Sequence, residues 1–206
     1  RWQDAYDAAN NVIALKLYGL TDKYEDAWKG NNKEAILEFD YDAANGPNHL
    51  FDRYYVPQCD GYDNGSTGTP TQEMVECYES KNGEKIDRSN SSQLAKGALP
   101  LKYGMDPDMK DGQSGIDVVI YRYADVLLTL AECINRNEGS PTTEAVGLVN
   151  RVRKRAGLPE LDDAQTASGG AFNEAILLER GHEFYLEGLR RQDLIRFGKY
   201  VEYANN

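Results

Sequence analysis

The feature that most constrains this chain is Val118–Cys133, VVIYRYADVLLTLAEC, the longest strongly apolar run in a polar sequence. Two carboxylates, Asp125 and Glu132, and the cation Arg122 lie inside this run. They must be exposed, paired or chemically used, because an unpaired buried charge costs several kcal/mol. The apolar residues recur at helical spacing and can share one buried face: Tyr123, Val126, Leu127, Leu130, Ala131 and Ile134. We therefore predict a helix here, at the centre of a packed helical layer.

Composition restricts the classes of function. The 206 residues carry a formal net charge of −11. This argues against a nucleic-acid partner and against adsorption to anionic lipid, since both require a basic face. Cys59, Cys77 and Cys133 form no CxxC pair and have no neighbouring histidine ligands. We therefore predict no metal site and no disulfide framework, and Cys133 should pack as a small apolar residue. No glycine motif for a phosphate or a dinucleotide occurs, so no cofactor is predicted.

Periodicity predicts further helices before the central run. Residues 2–15 should form a helix, 24–30 a short helix and 35–41 a strand. A helix capped by Thr69, with Pro70 at its first position, should run to about Ser80. The predicted buried face of the first helix consists of Tyr6, Ala9, Ile13 and Leu17.

Two helices are predicted after the central run. The first should be capped by Ser140, with Pro141 at its first position, and should stop at Gly157. We expect its basic run, residues 151–155, to form a solvated face. The second should span about 172–189, with His182 as a core histidine on its apolar face.

Residues 45–69 form a long segment rich in Gly, Asn, Asp and Pro, and 84–117 is also polar and aperiodic. A loop of the first segment's length is uncommon in a compact domain unless it binds something or is disordered. Sugars present apolar CH faces to aromatic rings, and their hydroxyls hydrogen-bond to polar side chains. The same rings could instead anchor the loop to the core. The candidate ligand-binding residues of this segment are Phe51, Arg53, Tyr54, Tyr55 and Tyr62.

The charged residues near the end of the chain permit two interpretations. Glu179 and Glu183 lie one helical turn apart, as a pair of glycosidase carboxylates could. Alternatively, alternating charges at i,i+3 and i,i+4 suit salt bridges. We favour the second interpretation, in which Arg122 or Asp125 pairs with a charge from residues 179–193. A calcium loop at 106–112 is disfavoured, because Lys110 occupies a ligand position.

Three motifs occur in this order: YRYADVLLTLAEC (121–133), VNRVRKRAGLP (149–159) and ILLERGHEFYLEGLRRQDLIRFG (176–198). Together they resemble the SusD/RagB family of surface glycan-binding outer-membrane lipoproteins of Bacteroidetes-type bacteria. Earlier segments, including TPTQEMVECYESKNG, resemble further blocks of the family. The family's lipidated cysteine and first helical repeats have no counterpart here. The region between Lys85 and Ile116 is shorter than the family pattern.

The resemblance implies a mainly α fold of tetratricopeptide-like helical pairs, with long loops and a few short strands. It also implies that residues 1–206 form a single domain, the carboxy-terminal part of a longer chain anchored by lipid to the extracellular face of the outer membrane. The implied function is non-catalytic: the protein captures an oligosaccharide or another nutrient and delivers it to a SusC-like TonB-dependent porin. The alternatives are a glycoside hydrolase that uses Glu179 or Glu183, and a helical scaffold that binds peptides.

Overall fold

The structure is a computed structural model, and it describes residues 1–50, 70–84, 102–104, 106–109 and 112–205. Within these ranges the chain is mainly helical, with two short strands. The predicted mainly α fold is therefore confirmed. The helices are α1 (Trp2–Ala14), α2 (Gln72–Cys77), α3 (Tyr123–Glu138), α4 (Thr143–Arg155), α5 (Gly169–Glu183), α6 (Arg190–Arg196) and α7 (Tyr200–Ala204). The strands are β1 (Ala35–Phe39) and β2 (Val118–Arg122), and a 3₁₀ helix spans Tyr24–Trp28.

The chain divides into two compact units, residues 1–20 with 121–206, and residues 21–120. In the first, α3 packs against α1, α4 and α5. Because it is surrounded, α3 buries residues on most of its circumference, including Leu127, Leu128 and Cys133, which are fully inaccessible. The predicted central helix is confirmed, and so is the role of Cys133 as a buried apolar residue. His182 is also buried, as predicted.

Several predicted boundaries are wrong. Residues 118–122 form a strand rather than the first turns of the helix, consistent with the β-branched side chains of Val118, Val119 and Ile120. Thr142, not Ser140, caps α4, because its hydroxyl accepts a hydrogen bond from the amide of Ala145 at 3.2 Å. Leu17 is exposed because α1 ends at Ala14 and Lys16 adopts a left-handed conformation (φ 55°).

The second unit contains the 3₁₀ helix, α2 and β1, which pairs with β2 in a two-stranded sheet. Its small core centres on Trp28, which is buried with Ala27 and Val119. The α2 helix is capped by Thr71, whose hydroxyl accepts from the amide of Met74, and it ends at Cys77. The predicted cap at Thr69 and end at Ser80 are therefore wrong. In the described part of the chain, the helices are too short or too polar to span a bilayer.

Candidate functional site

Arg180 lies at the centre of a chain of alternating charges that joins α3, α5 and α6, and its inner members are buried, whereas Asp125 and Arg196 are 21% and 32% exposed. Its Nε donates to Asp193 Oδ2 at 2.9 Å and its Nη1 to Asp125 Oδ1 at 2.7 Å. Arg196 donates from Nε to the other oxygen of Asp193 at 2.9 Å and also pairs with Glu132. Burial opposes the charge of Arg180, but Asp125 and Asp193 outweigh it and raise the pKa of the guanidinium. This arrangement confirms the predicted pairing of Asp125 with the 179–193 segment.

Arg122 forms a second buried contact between the start of α3 and the end of α5. Its Nε and Nη2 donate to the two oxygens of Glu187 at 2.9 and 2.8 Å. It also pairs with the carboxylate of Glu183, donates to the Glu183 carbonyl at 2.6 Å, and stacks 4.7 Å from the Phe184 ring. Such bidentate contacts have a fixed geometry and hold the two helix ends together.

Glu179 and Glu183 are not placed as a catalytic pair. Glu179 accepts from Arg153 Nη1 at 3.0 Å, and Glu183 is held by both Arg122 and Arg155. Their side chains are each 2% exposed. A glycosidase needs two carboxyl groups that face a sugar in an open site. These two groups instead neutralise arginines inside the helical unit.

The basic run at 151–155 is divided by this packing. Arg153 and Arg155 have side chains that are 3% and 4% exposed and are paired with carboxylates of α5. Arg151 and Lys154 are exposed. The expectation of a uniformly solvated face is therefore wrong for two of the residues, because they point toward α5.

The predicted ligand-binding residues lie outside the described residues. These are Phe51, Arg53, Tyr54, Tyr55 and Tyr62. The chain that precedes them is held at His49, which forms a backbone bridge with Ser114 (2.7 and 3.1 Å) and contacts Tyr41 edge-on at 4.7 Å. Asp106 holds the partner segment by accepting from the Gly115 amide at 2.6 Å and from the Ser114 hydroxyl. The backbone up to residue 50 therefore has a defined position within its unit. We call the part of the sequence that follows, residues 51–62 with the candidate ligand-binding residues, the aromatic segment.

Glu38, Asp40 and Asp117 form an acidic cluster beside the sheet, with carboxylate oxygens within 4.8 Å of one another. Burial, followed by the charges of Asp117 and Asp40, raises the pKa of Glu38. Asp117 also accepts from the backbone amide of Tyr41 at 2.9 Å. The three carboxylates therefore repel one another. The sequence alone did not indicate this cluster.

A cleft of about 690 Å³ lies in the helical unit between α4 and residues 158–166, and we call it the α4 cleft. Its wall is attached to α4, because Leu161 donates its amide to Asn150 Oδ1 at 2.9 Å and Arg153 Nε donates to the Pro159 carbonyl at 2.8 Å. Sequence reasoning missed this cleft, although a glycine inside a predicted helix, Gly147, was a usable signal. The α4 side chains and backbone that line it belong to Thr143, Val146, Gly147, Asn150, Arg151 and Lys154.

The described residues form a scaffold of packed helices that are joined by buried arginine–carboxylate contacts. The model of the SusD family (SusD/RagB) matches residues 99–206, more than half of the sequence. The chain therefore belongs to the SusD family.

Individual relatives agree with this assignment. The starch-binding protein SusD of Bacteroides thetaiotaomicron is 39% identical over 102 residues, which are 50% of this chain and 15% of that protein. A SusD-like carbohydrate-binding protein of Bacteroides fragilis superimposes with a TM-score of 0.77 at 20% identity, covering 98% of this chain and 49% of that one. Surface glycan-binding protein A of Bacteroides thetaiotaomicron, in complex with laminarihexaose, superimposes with a TM-score of 0.68 at 24% identity, covering 97% of this chain and 50% of that one. The chain thus spans about half the length of these structures.

Proposed function

We propose that this protein binds an oligosaccharide at the bacterial surface and delivers it to a SusC-like TonB-dependent porin. The observation that carries the proposal is the similarity to a starch-binding protein within a family-defining segment. The same helical fold occurs in a glycan-binding protein that has been solved with a bound hexasaccharide. We further propose that the protein lies on the extracellular face of the outer membrane and is anchored by lipid, as the family resemblance implies.

The charged helices support a binding function rather than hydrolysis. Glu179 and Glu183 are buried and held by arginines, so neither has a free face toward a substrate. Capture requires only stacking and hydrogen bonds, followed by transfer to the transporter. A reducing-end assay on starch and laminarin should show no release above background. A rate that Glu179→Gln abolishes, while circular dichroism shows that the variant is folded, would establish the hydrolase instead.

We propose that the aromatic segment contributes the contact with the sugar. It contains the residue types that bind carbohydrates, namely flat rings with polar neighbours: Phe51, Arg53, Tyr54, Tyr55 and Tyr62. The described residue nearest to it in the sequence with a tertiary backbone contact is His49, which forms an antiparallel bridge with Ser114.

Affinity electrophoresis in gels that contain starch or laminarin tests this assignment. Tyr54→Ala with Tyr55→Ala should abolish retardation, because stacking contributes most of the contact with a neutral sugar. Tyr200→Ala with Tyr203→Ala is the matched control, since it removes two tyrosines that are 40% and 47% exposed on α7. Equal retardation of both double variants would rule out the segment as the site.

The transfer step is tested separately in the bacterium that encodes the protein. A tagged full-length form should co-purify a TonB-dependent porin from detergent-solubilised outer membranes. A porin gene next to this one, with glycosidase genes nearby, would also indicate the class of glycan. Recovery of the tagged protein without any porin would contradict the delivery role and leave the binding role intact.

A further inference from the structure

Gly147 occupies an exposed interior position of α4, where glycine weakens a helix by about 1 kcal/mol relative to alanine. A Cβ built there would meet no atom within 4 Å, so packing does not require glycine. Gly181 of α5 differs, because its Cβ would lie 2.8 Å from the guanidinium of Arg190. Gly147 lines the α4 cleft, and the absence of a side chain keeps the backbone of the cleft open. Close approach of a ligand to the backbone is a known use of glycine.

The polar groups around Gly147 are available to a ligand. Asn150 uses its Oδ1 to hold the cleft wall at Leu161, and its Nδ2 donates to no group in the described residues. The size of the cleft is within the usual range for a small-molecule site, about 300–1,000 Å³. Because the wall is attached to α4 at two points, the cleft exists before any ligand arrives.

The charge at the cleft is opposite in sign to that of the chain. Arg151 and Lys154 lie three residues apart on α4, and Arg151 is 6.0 Å from the ring of Tyr123. Within the described ranges neither cation forms an ion pair, although the net charge of −11 supplies many carboxylates. Among the described residues that line the cleft, Glu160 is the single acid, so the lining is net positive by one charge, while the exposed Asp162 and Asp163 lie on the wall segment outside the lining. These features favour a ligand that carries a negative charge.

A second cleft, of about 620 Å³, adjoins the first at Thr142 and Thr143. It contains Glu138 and Glu144, whose carboxylates accept hydrogen bonds and repel anions. An extended ligand would therefore place its negative group near Arg151 and Lys154 and its neutral hydroxyls toward Thr143. A saccharide with a single charged substituent at one end suits both the α4 cleft and the adjoining acidic cleft.

We propose that the α4 cleft binds an anionic saccharide, whose carboxylate or sulfate ester pairs with Arg151 and Lys154 while its ring lies over Gly147. None of the residues that line the cleft belongs to the aromatic segment. The sugar part of this inference rests on the proposed glycan-binding function, whereas the charge preference rests on the cleft alone.

Isothermal titration with methylglucuronosyl-xylotriose, which carries one carboxylate at one end, with monosulfated neocarrabiose and with neutral maltohexaose tests the proposal. Arg151→Gln with Lys154→Gln should weaken binding of at least one of the two anionic sugars by about tenfold or more, because charge-assisted hydrogen bonds are lost. Whichever of them binds identifies the carboxylate or the sulfate ester as the preferred group. The matched control is Arg191→Gln with Lys81→Gln, which removes the same charge from exposed positions outside the cleft.

Gly147→Leu provides a second variant that should fold at least as well as the parent, because leucine favours a helix and the space is open. Its side chain should cover the bare backbone at position 147 and weaken anionic-sugar binding comparably, while thermal unfolding confirms that the fold is intact. Gly170→Leu, at an exposed position near the start of α5, is the matched control.

The inference is overturned if neither anionic sugar binds, or if binding is unchanged in both cleft variants. The proposed function fails in a different way. In that case the parent protein binds no neutral glycan, whereas maltohexaose binding that survives Tyr54→Ala with Tyr55→Ala would refute only the aromatic segment. Anionic binding that responds to the cleft variants but not to the tyrosine variants would support the cleft as a site that does not depend on the aromatic segment.

Discussion

Arg180→Met tests whether the buried charges hold the helices together. Methionine keeps most of the volume of the arginine stem but removes the guanidinium that joins Asp125, on α3, to Asp193, on α6. The side chains of Arg180 and Asp193 are 5% and 2% exposed, so water cannot replace the lost partner. Asp125 is 21% exposed and can recover part of its hydration.

The expected magnitude follows from these exposures. Removing one partner of a buried ion pair costs about 3–5 kcal/mol. Asp193 keeps its contacts with Arg196 at 2.9 Å, so the cost should fall near the lower value, about 3 kcal/mol. For a chain of this length, each kcal/mol lowers the melting temperature by about 2–4 °C. The variant should therefore melt about 6–12 °C below the parent.

Thermal unfolding followed by circular dichroism at 222 nm measures this difference. Arg191→Met is the matched control, because Arg191 is exposed and forms no ion pair in the described part of the chain, contacting only the ring of Tyr200 at 5.6 Å. It should change stability by less than about 0.5 kcal/mol. If the two variants melt within about a degree of each other, the charge chain does not stabilise the fold and the reasoning fails.

Three further substitutions or modifications test other parts of the structure. Gly169→Ala should lower the free energy of unfolding in urea by about 1–3 kcal/mol, because its Cβ would lie 2.5 Å from a backbone carbonyl oxygen. Gly170→Ala is the control, since the nearest contact of its Cβ would be at 3.7 Å. Equal urea midpoints for the two variants would contradict the predicted clash. Burial, reinforced by a neighbouring carboxylate, raises the pKa of Cys133 to about 11. Iodoacetamide at pH 8 should therefore modify Cys77 much faster than Cys133, as measured by peptide mapping. Comparable rates for the two cysteines would contradict the burial of Cys133. The pKa of Glu38 is raised above its ordinary 4.5, so ionisation of this carboxyl lowers the stability of the fold as pH rises through the folded-state pKa. Glu38→Gln should therefore raise the melting temperature at pH 8 more than at pH 4. An equal change at both pH values would refute the charge repulsion.

The central helix could be predicted from sequence because its apolar residues have a clear helical period over several turns. The start of that run was misassigned, since a short apolar segment does not distinguish strand from helix. The β-branched pair Val118-Val119 was the available local signal for a strand. The α4 cap was misplaced by two residues because Ser140 and Thr142 are both acceptable caps, and tertiary packing selects between them.

The division of the basic run could not be predicted from local pattern. Arg153 pairs with Glu179, 26 residues later, and only the packing of α4 on α5 brings them together. The sequence predicted that Asp125 forms an ion pair but not which residue is its partner. Arg180, Arg190 and Arg191 were equally plausible partners from sequence. The α4 cleft depends on the path of residues 158–166, which periodicity does not specify.

The alternating charges from Asp125 to Glu132 also fix how far the helices can slide along one another. A shift of α5 by one helical turn moves each side chain about 5.4 Å along its axis, farther than a hydrogen bond can stretch. The guanidinium of Arg180 would then lose both of its carboxylates in a single step. Positions of α5 between these two alignments therefore preserve no complete set of ion pairs. A mutational path to a different alignment of the helices would have to replace several charged residues together.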